Sequence, residues 1–446
     1  MSASMTRTKT PEGGHSGPPK SGLEKPAAVT SKNNLNAFGS SPEDWTEKSL
    51  GDILTLNYGW SLPEKKRVPG DAPVYGSNGI VGTHQQALVA SPGLIVGRKG
   101  SAGNVHYSRK PFCPIDTTFY IAPSDTSLDI EFLYFLLLHI DLKRILGDVG
   151  VPGLNREMAY KEKARIPTGA DEQRKIAAVL GLVQKALEQQ ERLIALTKEL
   201  KNALLHQLFT QGLRGEPQKQ TDIGLVPESW EERPLEKAGE VVYGIQAAVA
   251  SNLKPIGMMI LTNKNITLGG KIVLEKVNYF TLKTKRHRET VLKKGDLLFN
   301  WRSGSKEHVG KTAYFDLAGE FVHSSFILRI RPSDEVTGRY LFYYLNFLRE
   351  SGFFLKKQTF SVNAKFNKSA INELPTYLPG EEERQEIVDA LDAVGRKVDA
   401  LLAKKRLLED LFRTLLHQLM TAQIRVHNLE LCIEDLTSPV YHRLED

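Results

Sequence analysis

The chain has 446 residues, 41% apolar and 25% charged, with 59 basic against 52 acidic side chains and a net charge of +7. That length exceeds one ordinary core and predicts two or three domains, while the mild basic excess suits a polyanionic partner without establishing one. Two cysteines, Cys113 and Cys432, exclude a disulfide framework or a self-contained zinc site and fit a reducing cytoplasm.

Residues 1–40 are rich in Ser, Thr, Pro, Gly and Lys, with almost no branched apolar or aromatic residues. Such a segment cannot bury enough surface to offset its ordering entropy and reads as a disordered polar tail. A first globule is expected over residues 41–169. It opens on Pro42-Glu43-Asp44-Trp45 and closes on Pro167-Thr168. Gly93 to Tyr107 reads as strand, polar turn, strand, placing Arg98, Lys99, Ser101 and Asn104 on the turn. Tyr75, Ser77 and Asn78 form a second polar group. The apolar run Phe132–Ile140 is too short to cross a membrane and reads as a buried helix.

Residues 170–212 are read as a long helix without proline. Its segment Glu172–Thr210 returns without a gap as Glu383–Thr421, at a constant offset of 211 residues, with 12 of the 39 aligned positions identical. The second copy carries a heptad stripe through Ile387, Leu391, Val394, Val398, Leu401, Lys405, Leu408, Phe412, Leu415 and Leu419. The first follows the same register, interrupted by Gln190, Thr197 and Lys201. Each copy predicts a rod of roughly 60 Å whose apolar seam needs a partner helix, and the other copy is the obvious one. The polar positions would weaken that pair while pinning its register.

After a linker at 213–222, a second globule over 223–380 repeats the plan, opening on Pro227-Glu228-Ser229-Trp230 and closing on Pro375-Thr376. Its strand at Gly295 runs into a loop with Asn300, Arg302, Ser303, Ser305 and Lys306. Asn263, Lys264, Lys285, Arg286 and Arg288 add polar and basic groups. Arg and Lys suit guanine edges, Asn suits adenine, and clustered cations suit phosphates; a solvated turn is the alternative reading of each loop. Trp60 and Trp301 are candidates for stacking on bases or for packing. A second helix at 381–422 and an extension at 423–446 complete the chain.

No reaction centre is evident. Ser305–Thr312 nearly spells a phosphate loop, but Gly304 stands one residue early, so the cradle would be misbuilt. Glu64 and Lys66 after Asp44 are a spacing common by chance. The histidines lack metal-ligand spacing, His206 and His417 being equivalent repeat positions.

This layout of globule, helix, globule, helix resembles the specificity subunits of type I restriction–modification systems. The resemblance covers about residues 41–422. It rests on the duplicated helices, the Trp near each globule's start, Glu-Gln-Arg-Lys-Ile at Glu172 with Glu-Arg-Gln-Glu-Ile at Glu383, and the Gly-Arg-Lys-Gly-Ser-Ala-Gly loop at Gly97. It implies an α+β protein with two similar target-recognition domains, whose helices pair as an antiparallel coiled coil with pseudo-twofold symmetry. It further implies a non-catalytic reader of a bipartite, asymmetric site in double-stranded DNA. Two adenine methyltransferase subunits and restriction–translocase subunits would bind it, and S-adenosylmethionine, ATP and Mg²⁺ would belong to those partners, with no cofactor in this chain. A coiled-coil scaffold that reads no DNA is the competing expectation.

Overall fold

The structure, a computed structural model, describes residues 44–90, 92–146, 153–246, 257–357 and 364–426. The expected polar tail and all but the first four residues of the extension lie outside these.

The motifs that bracket each globule become paired strands. Trp45–Ser49 runs antiparallel to Lys163–Pro167, and Glu231–Pro234 runs antiparallel to Pro375–Leu378. Each pairing zips a globule's start to its end at the foot of a long helix. Inside the first globule, a four-stranded sheet has the order Asn57–Tyr58, Thr118–Ile121, Gly93–Gly97, Val105–Ser108. The second repeats it as Gly239–Tyr243, Ile327–Pro332, Leu297–Asn300, Thr312–Tyr314. A three-stranded sheet stands beside each, with one antiparallel and one parallel pairing in both copies. The strands at Gly93 and Leu297 occupy interior positions and are buried along their whole length, apolar except for Asn300 at the end of the second, as strands covered on both faces tend to be. Helix Ile130–Ile140 takes up the predicted buried run, and Glu335–Glu350 is its counterpart.

The long helices span Ala170–Gln211 and Glu381–Met420. Both begin after a glycine with acidic residues in the first turn, where carboxylates complement the positive end of the helix dipole. They lie antiparallel. Glu383, at the start of the second, accepts from Leu213 N beyond the end of the first (2.8 Å), and Arg425 beyond the second reaches Glu172 at the start of the first. The polar seam positions find partners. Buried Gln190 donates to Leu401 O (2.8 Å), Lys405 pairs with Glu191 (2.7 Å), and Lys201 sits over the Tyr343 ring. Gln190 and Leu401 are 211 residues apart, so the bond joins a position to its own repeat, marking the pseudo-twofold axis.

The helix ends do more than pair. Ile176, Ala177 and Leu180 enter the first globule's core together with Leu419 and Met420 from the far end of the second helix. The second globule's core takes Leu205, Leu208 and Phe209 with Ile387, Val388 and Leu391. Each globule is thus completed by both helices. Residues 423–426 belong to this closure, with Val426 buried in the first core and Arg425 bonded to Glu172 and Asp44. The connector after the first helix also contributes structure, since Gln218–Thr221 pairs with Gly224–Pro227 as a hairpin.

Candidate nucleic-acid interface

In the first globule the strand Gly93–Gly97 delivers the loop that follows it. Arg98 N and Lys99 N both donate to Thr117 O, and Gly103 N donates back to Gly97 O, closing a tight turn. Gly100 and Gly103 hold positive φ there, and a Cβ at Gly103 would strike the Lys143 backbone at 2.8 Å. Lys99 is exposed, while Ser101 and Asn104 are half-buried. Ser101 Oγ reaches the exposed Asn78 at 3.5 Å, which brings the second polar group beside the first loop. Tyr75 and Ser77 turn inward: Tyr75 packs edge-on against Phe112 and Ser77 donates to Thr117 O (2.6 Å). They support the loop from beneath.

In the second globule Asn300 is fully buried and donates to His308 O (2.6 Å), so it shapes the loop and offers no surface. The cause is register: Asn300 is the last inward position of its strand, paired with Ile327 as Gly97 is paired with Thr118. Ser305 and Lys306 are exposed, Ser303 less so. Asn263 and Lys264 sit on a 3₁₀ turn that Lys311 anchors, its ammonium donating to Asn263 O (2.6 Å) and Ile266 O (2.7 Å). Burial pushes the Lys311 pKa down. That lysine is the one a phosphate loop would present to nucleotide, so the near-motif at 305–312 is a structural clamp. Lys285, Arg286 and Arg288 lie exposed on the short helix Lys285–Arg288, whose His287 packs against Phe280. None of these contacts reaches the 300–311 loop. Among the described residues no group of three or more His, Cys, Asp or Glu side chains could hold a metal, and Glu64 and Lys66 lie on an exposed 3₁₀ turn.

Backbone pairing fixes which loop residues correspond. Leu154 N donates to Arg98 O as Phe366 N donates to Trp301 O, so Arg98 matches Trp301 and Lys99 matches Arg302. The side chains agree. Arg98 Nε and Nη2 donate to Asp116 O, and Trp301 Nε1 donates to the equivalent Ser325 O (2.7 Å). Arg98 lies over the ring of Tyr58, and Trp301 meets the equivalent Tyr243 edge-on. Trp301 is therefore a packing residue, while Trp60 is partly exposed and stacked on Tyr120.

Sequence reading missed Tyr58, Arg156 and Phe326. Exposed Tyr58 lies between Arg98 and Arg156, 5.3 Å and 5.2 Å from its centroid. Exposed Phe326 carries Arg302 at 4.3 Å. For Tyr58 and Phe326 the one sequence signal is an aromatic residue at or beside a strand end, which is too common to single out, and Arg156, at the start of a short helix, has none.

Two similar strand-borne loops, one in each duplicated globule on a shared antiparallel helix pair, can be compared with known proteins. The family profile described as type I restriction modification DNA specificity domain matches residues 42–203 and again 227–409. The chain belongs to the type I restriction–modification DNA specificity family. It is similar to the putative type I restriction enzyme MjaX specificity subunit of Methanocaldococcus jannaschii, 29% identical over 46% of this chain and 50% of that one. It is 22% identical to that organism's type I restriction enzyme MjaVIII specificity subunit, over 87% of this chain and 95% of the relative. The crystal structure of a type I restriction–modification S subunit from M. genitalium shares the fold, with a TM-score of 0.58 at 14% identity, covering 84% of this chain and 96% of that one. Among the described residues no helix is long and apolar enough to cross a membrane.

Proposed function

We propose that this specificity-family chain is a non-catalytic cytoplasmic reader of a bipartite, asymmetric sequence in double-stranded DNA. Each globule reads one half-site, and the antiparallel helix pair spaces the two along the duplex, as two related readers on one rod require. The observation that carries the reading is the pseudo-twofold arrangement of two matched loops. In the first, Lys99, Ser101, Asn104 and Asn78 form the DNA-facing group, with Arg98, Tyr75 and Ser77 holding the loop from behind. In the second, Arg302, Ser303, Ser305 and Lys306 do so over buried Asn300, flanked by Asn263 and Lys264. Lys285, Arg286 and Arg288 serve phosphates and contribute salt-dependent affinity.

Two methyltransferase subunits dock on the helix pair, and restriction–translocase subunits join them. Exposed leucines support this stoichiometry. Leu196 and Leu200 repeat at Leu407 and Leu411, all four between 46% and 70% exposed, so their identity owes nothing to the core. They fall on opposite sides of the axis at Gln190 and Leu401 and offer two equal patches to two copies of one partner. S-adenosylmethionine, ATP and Mg²⁺ reside on the partners; in keeping with this, Lys311 of the near-motif at 305–312 is bonded to the backbone carbonyls of Asn263 and Ile266 and does not face a nucleotide.

The test is a salt titration of duplex binding by the chain reconstituted with its methyltransferase, followed by mapping of methylated adenine in cells expressing the complex. A steep fall in affinity with salt and a two-part methylation motif are expected. A scaffold that reads no DNA gives neither, and methylation or cleavage by the purified chain alone would identify an enzyme instead.

A further inference from the structure

The two reading loops are built on one plan but carry different chemistry at their matched outer position. Lys99 holds it in the first globule and Arg302 in the second. Around Lys99 the equivalent of Phe326 is Thr117, because Thr118 pairs with Gly97 as Ile327 pairs with Asn300. Around Arg302 two rings converge. The guanidinium carbon lies 4.9 Å from the Trp301 centroid and 4.3 Å from that of Phe326, and Nη2 donates to Ser325 Oγ at 3.2 Å. Arg302 Nε is buried, and among the described residues Nη1 has no hydrogen bond. Trp301 is held in turn by its bond to Ser325 O and by the Tyr243 ring, so this side of the clamp is rigid. Phe326 is 41% exposed, an apolar surface the fold does not need for its core.

A guanidinium resting on ring faces uses its π surface for the rings and keeps its N–H edge for in-plane hydrogen bonds. Held in that way it is a preset donor fork. In the major groove the acceptor pair that fits such a fork is O6 and N7 of guanine. Lys99, a compact ammonium without an aromatic shelf among the described residues, can reach the same groove but donates from no fixed plane.

Resting on the DNA-reading function proposed above, we infer that Phe326 is a positioning residue for Arg302, and that the pair reads a guanine in the second globule's half-site. At the matched position of the first globule, Lys99 has no such ring among the described residues, so the device is specific to the second half-site. The identity of the second globule's best-discriminated base pair then depends on a ring that makes no hydrogen bond of its own.

The experiment uses the full chain with its methyltransferase. The wild-type methylation motif is mapped, and methylation rates are then measured on duplexes substituted at each position of both half-sites. Phe326→Ala and Arg302→Lys should each lower discrimination at one G·C position of one half-site roughly tenfold, leaving the other half-site untouched. Phe326→Tyr should retain it, and Phe326→Leu should lose it. That last comparison decides the matter even where the alanine variant fails to assemble. Equal discrimination by the leucine and tyrosine variants overturns the inference, as does an effect spread over both half-sites. A wild-type complex that yields no bipartite motif overturns the DNA-reading function and this inference with it.

Discussion

Arg425 closes the chain onto its first globule, and its replacement by alanine should open that globule selectively. The guanidinium meets Glu172 through two bonds, Nε to Oε1 at 2.7 Å and Nη2 to Oε2 at 3.0 Å, and also bonds Asp44. The side chains are 22% and 9% exposed for Arg425 and Glu172, and the two carboxylates hold the arginine pKa above its usual range. Unit charges about 4 Å apart interact by about 4 kcal/mol at an effective dielectric near 20. Desolvation and the open side of Arg425 offset part of this, leaving about 2 kcal/mol for a charge-assisted, bidentate pair. Arg425→Ala should therefore increase opening of the segments around residues 44–50, 170–178 and 418–426 by about 30-fold, read as amide hydrogen exchange. Glu172→Gln should cost a similar amount, and the double variant little more than either, since it leaves no orphaned charge. The equivalent residue in the other half, Arg214, is 48% exposed and reaches Glu382 at 3.8 Å and Glu386 at 3.2 Å. Arg214→Ala should cost at most about 0.5 kcal/mol. Unchanged exchange in Arg425→Ala, or equal effects of the two arginines, would refute the reasoning.

Leu196→Asp with Leu407→Asp should abolish methyltransferase co-purification while each single change leaves one copy bound, measured by light scattering of the reconstituted complex; retention of two copies by the double variant counts against the leucine patches. Lys311→Met should orphan the carbonyls of Asn263 and Ile266 and destabilise the second globule by roughly 2 kcal/mol in urea unfolding, with little loss meaning the clamp is dispensable. Burial lowers the pKa of His323 to about 3 and of His139 to about 4, from an ordinary value of 6.5. Between pH 6.5 and 4 the unfolded chain binds protons at these positions that the folded chain refuses, so stability rises with pH across that window. His323→Leu should reduce the slope of stability against pH by about 1.4 kcal/mol per unit there, and an unaltered slope would show that His323 is protonated in the fold.

The sequence by itself determined the architecture. Repeats, heptads and proline–tryptophan punctuation depend on local periodicity and on copying within one chain, both legible in one dimension. The constant offset identified the helix pair, while the place of its axis, at the Gln190–Leu401 bond, came from the tertiary structure. Much of each strand-borne loop was legible too, because a strand ending in Gly, Arg, Lys and Ser states its exposure locally. Tertiary structure decided what depends on distant partners. Asn300 looked like a reading residue until pairing with Ile327 turned it inward. Arg98 and Arg302 each follow the loop-bearing strand of their globule, but the cross-loop bonds of Leu154 and Phe366 match Arg98 to Trp301 and Lys99 to Arg302. Loops of unequal length erase that alignment in sequence, whereas the hydrogen-bond ladder preserves it. The closure of the first globule through Arg425, 253 residues from Glu172, had no local signature at all. A charge pair across such a separation is visible only once two antiparallel helices have brought the ends of the fold together.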